Sequence, residues 1–160
     1  MERIAVYAGS FDPITSGHMD LLKRAEGLFD RVILSIGHNP KKQTLLSIDV
    51  RRAVLEECVQ GMPNVSVDVF DGLLIDHCQA VGAQFILRGL RAVTDFEFEF
   101  QIGLANMDMA PQVETVFLLT EPKNIFVSSS LVKEIATNGG DVERYLPKPA
   151  HRALMDRLRP

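Results

Sequence analysis

Five short apolar runs, separated by stretches of helical periodicity, limit the fold more than any other feature of this chain. The runs are Ile4–Ala8, Val32–Ile36, Val65–Phe70, Phe85–Leu87 and Val113–Leu119, each of a length that suits a strand buried on both faces. Ser16 is placed to cap a first helix carrying Met19, Leu22, Ala25, Leu28 and Phe29 on one face. Ser47 can cap a second, with Val50, Val54, Leu55 and Cys58 inward. A third covers Leu73–Val81 and ends at Gly82, Asp95 opens a fourth, and Ser128 or Ser129 starts a fifth. The last follows Pro147 and Pro149, with Ala150, Leu154 and Leu158 on its apolar stripe. Strands alternating with helices predict a parallel sheet covered on both faces. Right-handed crossovers then leave the doubly wound, Rossmann-like arrangement as the simplest α/β solution, with a C-terminal helical extension. No repeat, low-complexity tract or linker interrupts the 160 residues, so one domain over 1–160 is expected.

Composition narrows the function classes. Seventeen basic against twenty-one acidic residues gives a net charge of −4, with no Lys/Arg block. That balance disfavours a dedicated nucleic-acid or polybasic membrane binder. Cys58 and Cys78 form no C-x-x-C pair and read as small buried hydrophobes in a reducing compartment. No apolar run approaches the ~20 residues of a membrane span. The N-terminal residues lead directly into Ile4-Ala5-Val6-Tyr7 without the apolar core of a signal peptide. A cytoplasmic protein with no nucleic-acid or membrane partner is expected.

In doubly wound sheets, ligands bind beyond the carboxyl ends of the strands. The first run is followed by Gly9-Ser10-Phe11-Asp12-Pro13-Ile14-Thr15-Ser16-Gly17-His18. Gly17 would let a ligand approach the helix start, whose free N–H groups and positive dipole end suit a phosphate. His18 adds a side-chain donor there, and Ser10 a hydroxyl. After the second run, His38-Asn39-Pro40-Lys41-Lys42-Gln43 offers at least one lysine as an anion contact, or else is a solvated turn. Arg88-Gly89-Leu90-Arg91 reads as a loop after the fourth run that brings planar, bidentate phosphate donors. Asn124-Ile125-Phe126-Val127-Ser128-Ser129-Ser130 supplies helix caps that can also donate to phosphate. Three cationic loops on one rim would focus anionic substrates despite the acidic total.

Several absences restrict the chemistry. The chain has no Walker loop, no G-x-G-x-x-G, no G-x-S-x-G and no H-E-x-x-H. His77-Cys78 lacks partners at metal-ligand spacing and reads as structural. Asp95–Phe100 alternates like a strand, yet Phe96, Phe100, Leu104 and Met107 continue a helical stripe, either core or subunit interface. A pocket of phosphate donors without an evident protein nucleophile points to direct phosphoryl or nucleotidyl transfer, driven by positioning and charge stabilisation.

Ser10-Phe11-Asp12-Pro13…Gly17-His18 resembles the T/H-x-G-H signature of the nucleotidyltransferase superfamily related to class I aminoacyl-tRNA synthetases. Val127-Ser128-Ser129-Ser130-Leu131-Val132-Lys133 resembles its second signature, in which an arginine often stands at the Lys133 position. With Arg88-Gly89-Leu90-Arg91-Ala92-Val93-Thr94-Asp95-Phe96-Glu97, the resemblance extends over the whole chain to the bacterial phosphopantetheine adenylyltransferases. It implies transfer of AMP from ATP to 4'-phosphopantetheine, with pyrophosphate released, in the penultimate step of coenzyme A synthesis. It also implies catalytic roles for His18, as transition-state stabiliser, and for Ser10, Lys42 and Arg91. Ser10, Lys42, Leu74 and Arg88 would hold phosphopantetheine. Ser10, Phe11, His18, Gly89, Leu90, Arg91, Glu99 and Asn124, Ile125, Phe126, Val127, Ser128, Ser129, Ser130 would contact ATP. The family implies Mg2+ held mainly by ATP phosphates with no protein ligands, a homohexamer, and feedback inhibition by coenzyme A. Ser10 replaces a frequent threonine while keeping the hydroxyl, and Phe98 lacks the hydroxyl of a tyrosine found in some relatives. Two other readings remain open. One keeps the superfamily with a different acceptor, such as nicotinate mononucleotide or a phosphorylated sugar alcohol; Lys42, Leu74 and Arg88 discriminate it. The other is a nucleotide-binding regulatory module without catalysis, against which Ser10 and His18 stand.

Overall fold

The computed structural model describes residues 2–39 and 41–159. Pro40, in the turn singled out above, lies outside the described residues. The apolar runs become β1 (Ile4–Gly9), β2 (Arg31–His38), β3 (Val65–Asp71), β4 (Phe85–Leu90) and β5 (Glu114–Leu119). All pair in parallel, in the order β3-β2-β1-β4-β5. Between and after them lie α1 (Ser16–Glu26), α2 (Ile48–Cys58), α3 (Leu74–Ala80), α4 (Val93–Met109), α5 (Ser129–Thr137) and α6 (Lys148–Leu158). The chain winds outward from β1 through β2 to β3, then crosses back to place β4 on the other side of β1. The reversal opens a crevice beyond the carboxyl ends of β1 and β4.

Strand alternation divides the core in two. Ala5 and Tyr7 face Leu21, Leu22, Leu55 and Leu154, the layer contributed by α1, α2 and α6. Ile4, Val6 and Ala8 face Ile75, Cys78 and Ala110 on the opposite side. His77 is buried there, its Nε2 2.9 Å from Ser35 Oγ and its ring stacked on Phe70 at 4.5 Å, which agrees with a structural role. Among the described residues, no helix is long and apolar enough to cross a membrane.

Several local expectations are corrected. Thr15, not Ser16, caps α1; its hydroxyl accepts the His18 N–H, and Ser16 is the first helical residue. The buried face of α1 is Gly17, Leu21, Leu22 and Ala25, while Leu28 lies past the Gly27 cap and is exposed. Ser47 caps α2 as expected, but Val50 faces outward and Arg51 is buried in its stead. The buried Arg51 is satisfied at one end because its Nη1 donates to the Ser10 carbonyl at 2.8 Å. Arg88, Gly89 and Leu90 are not a loop: they pair with Phe117, Leu118 and Leu119 as the end of β4. A Cβ on Gly89 would come within 2.3 Å of Leu21 Cδ1, so this glycine lets α1 lie close against the sheet. His38 ends β2, and α4 starts at Val93, before Asp95. Phe96, Phe100, Leu104 and Met107 on α4 are exposed, so this stripe is not core. Ser128 caps α5, and Ala150 and Leu154 of α6 are fully buried.

Candidate active site

A cleft of about 330 Å³ occupies the crevice at the ends of β1 and β4. The expected residues Ser10, Phe11, His18, Lys42, Arg88, Gly89, Arg91, Glu99, Asn124, Val127, Ser128, Ser129 and Ser130 all line it. Leu74, Leu90, Ile125 and Phe126 are not among its lining residues. Leu74 begins α3 near β3, two strands from β1, and packs against the core on the other face of the sheet. Leu90 and Gly89 point to opposite faces of β4. Ile125 and Phe126 are about half exposed, Phe126 resting edge-on against Tyr145.

The imidazole of His18 is held in one protonation state. His18 is the third residue of α1, and its Nδ1 accepts the N–H of Thr15 at 3.0 Å, completing a reciprocal cap. A nitrogen that accepts this bond carries no proton, so Nε2 carries it and is a donor. Burial, reinforced by the charges of Arg91 and Arg88, pushes the His18 pKa down to about 4. The ring is therefore neutral at physiological pH. Phe11 sits edge-on to it with centroids 5.2 Å apart, and Tyr7 packs behind Phe11 at 5.5 Å. Phe11 is almost fully buried, so its ring is the support for His18 and not an exposed stacking platform. Its φ of 45° is costly for a residue with a side chain. Gly9 makes room, since a Cβ there would meet the Phe11 ring at 3.0 Å.

Cationic groups surround this imidazole. Lys42 Nζ donates to Ser10 Oγ at 2.9 Å, which brings the turn after β2 across to the end of β1. Arg88 Nε donates to Glu99 Oε2 at 2.7 Å, its Nη2 donates to Glu99 Oε1, and its Nη1 donates to the Ala8 carbonyl at 3.2 Å. One N–H on each Nη is left for a ligand. Burial works against the Arg88 charge, but the hydrogen bonds and charge of Glu99 hold its pKa above the usual value. Glu99, expected at ATP, here spends both oxygens on orienting Arg88. Arg91 is oriented likewise, its Nε 3.1 Å from Asp95 Oδ2 and its Nη1 3.3 Å from the Val127 carbonyl. Opposite them, Ser128 Oγ accepts the Leu131 N–H and Ser129 Oγ donates to the Pro13 carbonyl at 2.7 Å, fixing the start of α5 at the cleft. Thr15, Asp95 and Thr120 line the cleft without having been singled out. A threonine one residue before an equally good cap, and an aspartate taken as a helix opener, gave no separate signal.

Comparison with known proteins follows the same line. Residues 6–135 match the cytidylyltransferase-like family model. Phosphopantetheine adenylyltransferase of Caldanaerobacter subterraneus subsp. tengcongensis is 48% identical over 157 residues, 98% of each chain. That of Desulforudis audaxviator is 48% identical over 156 residues, 98% of this chain and 96% of the relative. The chain belongs to the phosphopantetheine adenylyltransferase family. Within the wider nucleotidyltransferase fold, a solved structure from Vibrio parahaemolyticus described as a nicotinate-nucleotide adenylyltransferase superposes with a TM-score of 0.73. It is 17% identical and covers 98% of this chain and 93% of its own, a likeness of fold. The motif residues singled out in the sequence meet in the cleft: Ser10 and His18 after β1, Arg88 and Arg91 at the end of β4, and Ser128–Ser130 before α5.

Proposed function

We propose that this chain transfers AMP from ATP to 4'-phosphopantetheine, forming dephospho-coenzyme A and pyrophosphate. Family membership supports the reaction class, and one observation carries the assignment of roles. The neutral His18, Lys42, Arg88 and Arg91 line a single cleft at the strand reversal. An oxygen of the acceptor phosphate attacks the α-phosphorus of ATP, and the bond to the β-phosphate oxygen breaks as pyrophosphate leaves. Lys42, Ser10 and the free N–H groups of Arg88 hold the acceptor phosphate. Arg91 and the amide end of α5 hold the triphosphate. The Nε2–H of His18 donates to the α-phosphoryl group, where negative charge grows in the transition state. A neutral donor suits this task, because no proton has to be given up.

Magnesium, when bound, neutralises charge on the triphosphate. Among the described residues no group of three or more His, Cys, Asp or Glu is arranged to hold a metal, and Glu99 is engaged by Arg88. The phosphate oxygens of ATP are proposed as the ion's main ligands. The exposed α4 stripe supports assembly through that face, in keeping with a homohexamer. Coenzyme A, which contains the phosphopantetheine group, is proposed as a feedback inhibitor competing for the cleft. A cytoplasmic location fits the reaction.

Pyrophosphate release from ATP across a panel of phosphorylated acceptors tests the reading. Release with 4'-phosphopantetheine and little with nicotinate mononucleotide or sugar-alcohol phosphates is the expected result. No release with 4'-phosphopantetheine, or preference for another acceptor, would overturn it.

A further inference from the structure

Asp12 takes no part in the roles assigned above, yet it is the most thoroughly engaged carboxylate near the site. It is 3% exposed, one residue from Phe11 and two from Ser10. Its Oδ1 accepts the N–H of Leu46 at 2.8 Å, and its Oδ2 accepts the N–H of Leu45 at 2.9 Å. The same Oδ2 accepts Lys133 Nζ at 2.8 Å. Leu45 and Leu46 lie in the irregular stretch between β2 and α2 that carries Lys42. Lys133 lies on α5, whose first turn and cap present Ser128–Ser130. One buried carboxylate therefore joins the segments bearing Ser10, Lys42 and the three serines.

We infer that Asp12 is a positioning residue, a clamp that sets the spacing between the Ser10–Lys42 acceptor side of the cleft and the α5 triphosphate side. This deepens the proposed function and rests on it. Regular structure alone does not hold the turn carrying Lys42. Hydrogen bonds to an ionised, buried acceptor are shorter and stronger than neutral ones, so they fix a loop closely. Burial disfavours the Asp12 carboxylate, but Lys133 and the two N–H groups outweigh it and keep it ionised at lower pH than usual. Ser129 Oγ on the Pro13 carbonyl and Arg51 Nη1 on the Ser10 carbonyl brace the same four residues. An amide at position 12 would turn its NH2 either toward the Leu46 N–H or toward both the Leu45 N–H and Lys133 Nζ. The first orientation loosens the Lys42 turn; the second loosens that turn and α5 together.

The test is a double-mutant cycle on pyrophosphate release, with amide hydrogen exchange beside it. Asp12→Asn is expected to lower kcat/KM for 4'-phosphopantetheine about tenfold or more. Lys42→Ala should then cost at least about threefold less in the Asp12→Asn background than in the wild type, because coupled sites are non-additive. A loss of general stability would leave the two effects multiplicative, and that result would overturn the clamp. Lys133→Gln, altered at a partly exposed position, should reproduce the loss, and Lys133→Arg should restore it; equal activity of all three Lys133 forms would also overturn it. Leu154→Ala, in the core away from the cleft, should lower thermal stability without changing the kinetic ratios. Exchange separates the two proposals: Asp12→Asn should deprotect the Leu45 or the Leu46 amide, whichever the new NH2 faces, whether or not the wild type turns over these substrates. Unchanged protection refutes the clamp, whereas absent wild-type turnover refutes the functional reading alone.

Discussion

Protonating His18 should cost folding free energy, and the amount follows from its surroundings. In the folded chain the ring is neutral, with Nδ1 already accepting the Thr15 N–H and two arginines nearby. Unfolded, it takes up a proton near its ordinary value of 6.5; folded, it resists until about 4. The stabilisation is thus fully present above pH 6.5 and lost as pH falls toward 4. At about 1.4 kcal/mol for each pKa unit, the drop from 6.5 to about 4 is worth about 3 kcal/mol. Replacing the ring by an uncharged side chain, His18→Gln, removes this contribution while leaving the acid-sensitive carboxylates, Asp12 included, the same in both proteins. Urea unfolding of wild type and variant, at fixed protein concentration from about pH 7 to about pH 4, isolates the His18 contribution by difference. The wild type should lose about 3 kcal/mol more than the variant over that interval. Parallel pH profiles, or ring proton resonances titrating near the ordinary histidine value, would refute the neutral, half-buried imidazole.

Three substitutions probe the cleft directly. His18→Ala should lower kcat by roughly 10²–10³ with little change in either KM, because its bond strengthens only in the transition state; an unchanged kcat in steady-state assays would remove it from the mechanism. Arg88→Lys should raise KM for the acceptor roughly 30-fold, about 2 kcal/mol, and leave KM for ATP within about threefold. A lysine has three donors and no planar fork, too few to keep the Glu99 and Ala8 bonds and still meet a phosphate, so equal losses for both substrates would contradict the assignment. Gly89→Ala should cost about 1–3 kcal/mol in denaturant melts, since its methyl group must displace Leu21 Cδ1. An unchanged midpoint would show that α1 does not press on β4 there.

The sheet and most of the ring of site residues were legible because the segments that follow β1, β2 and β5 are turns or helix starts carrying their own chemistry. Gly17-His18 stands at the first helix, and Ser128–Ser130 at another, where free amides and hydroxyls coincide. What the sequence concealed depends on partners far away in the chain. Arg88 and Gly89 look like turn residues, yet pairing with Phe117 and Leu118 keeps them in β4. Arg51 looks solvent-bound on a helix until the Ser10 carbonyl supplies its partner. Asp12 in a turn gives no hint that its ligands are 33, 34 and 121 residues further on. Glu99 was legible as a site residue, but its engagement with Arg88 across a strand and a helix was not.

In the proposed reaction two anionic substrates meet in one cleft and AMP passes between them in a single displacement, with no serine or histidine of the site forming a bond to phosphorus. Transfer from ATP made chiral by sulfur at the α-phosphorus reads this out in the configuration of the product. Inversion at that phosphorus is the predicted outcome; retention would mean two displacements through an enzyme-bound intermediate, and would contradict the role given to His18 and the serines.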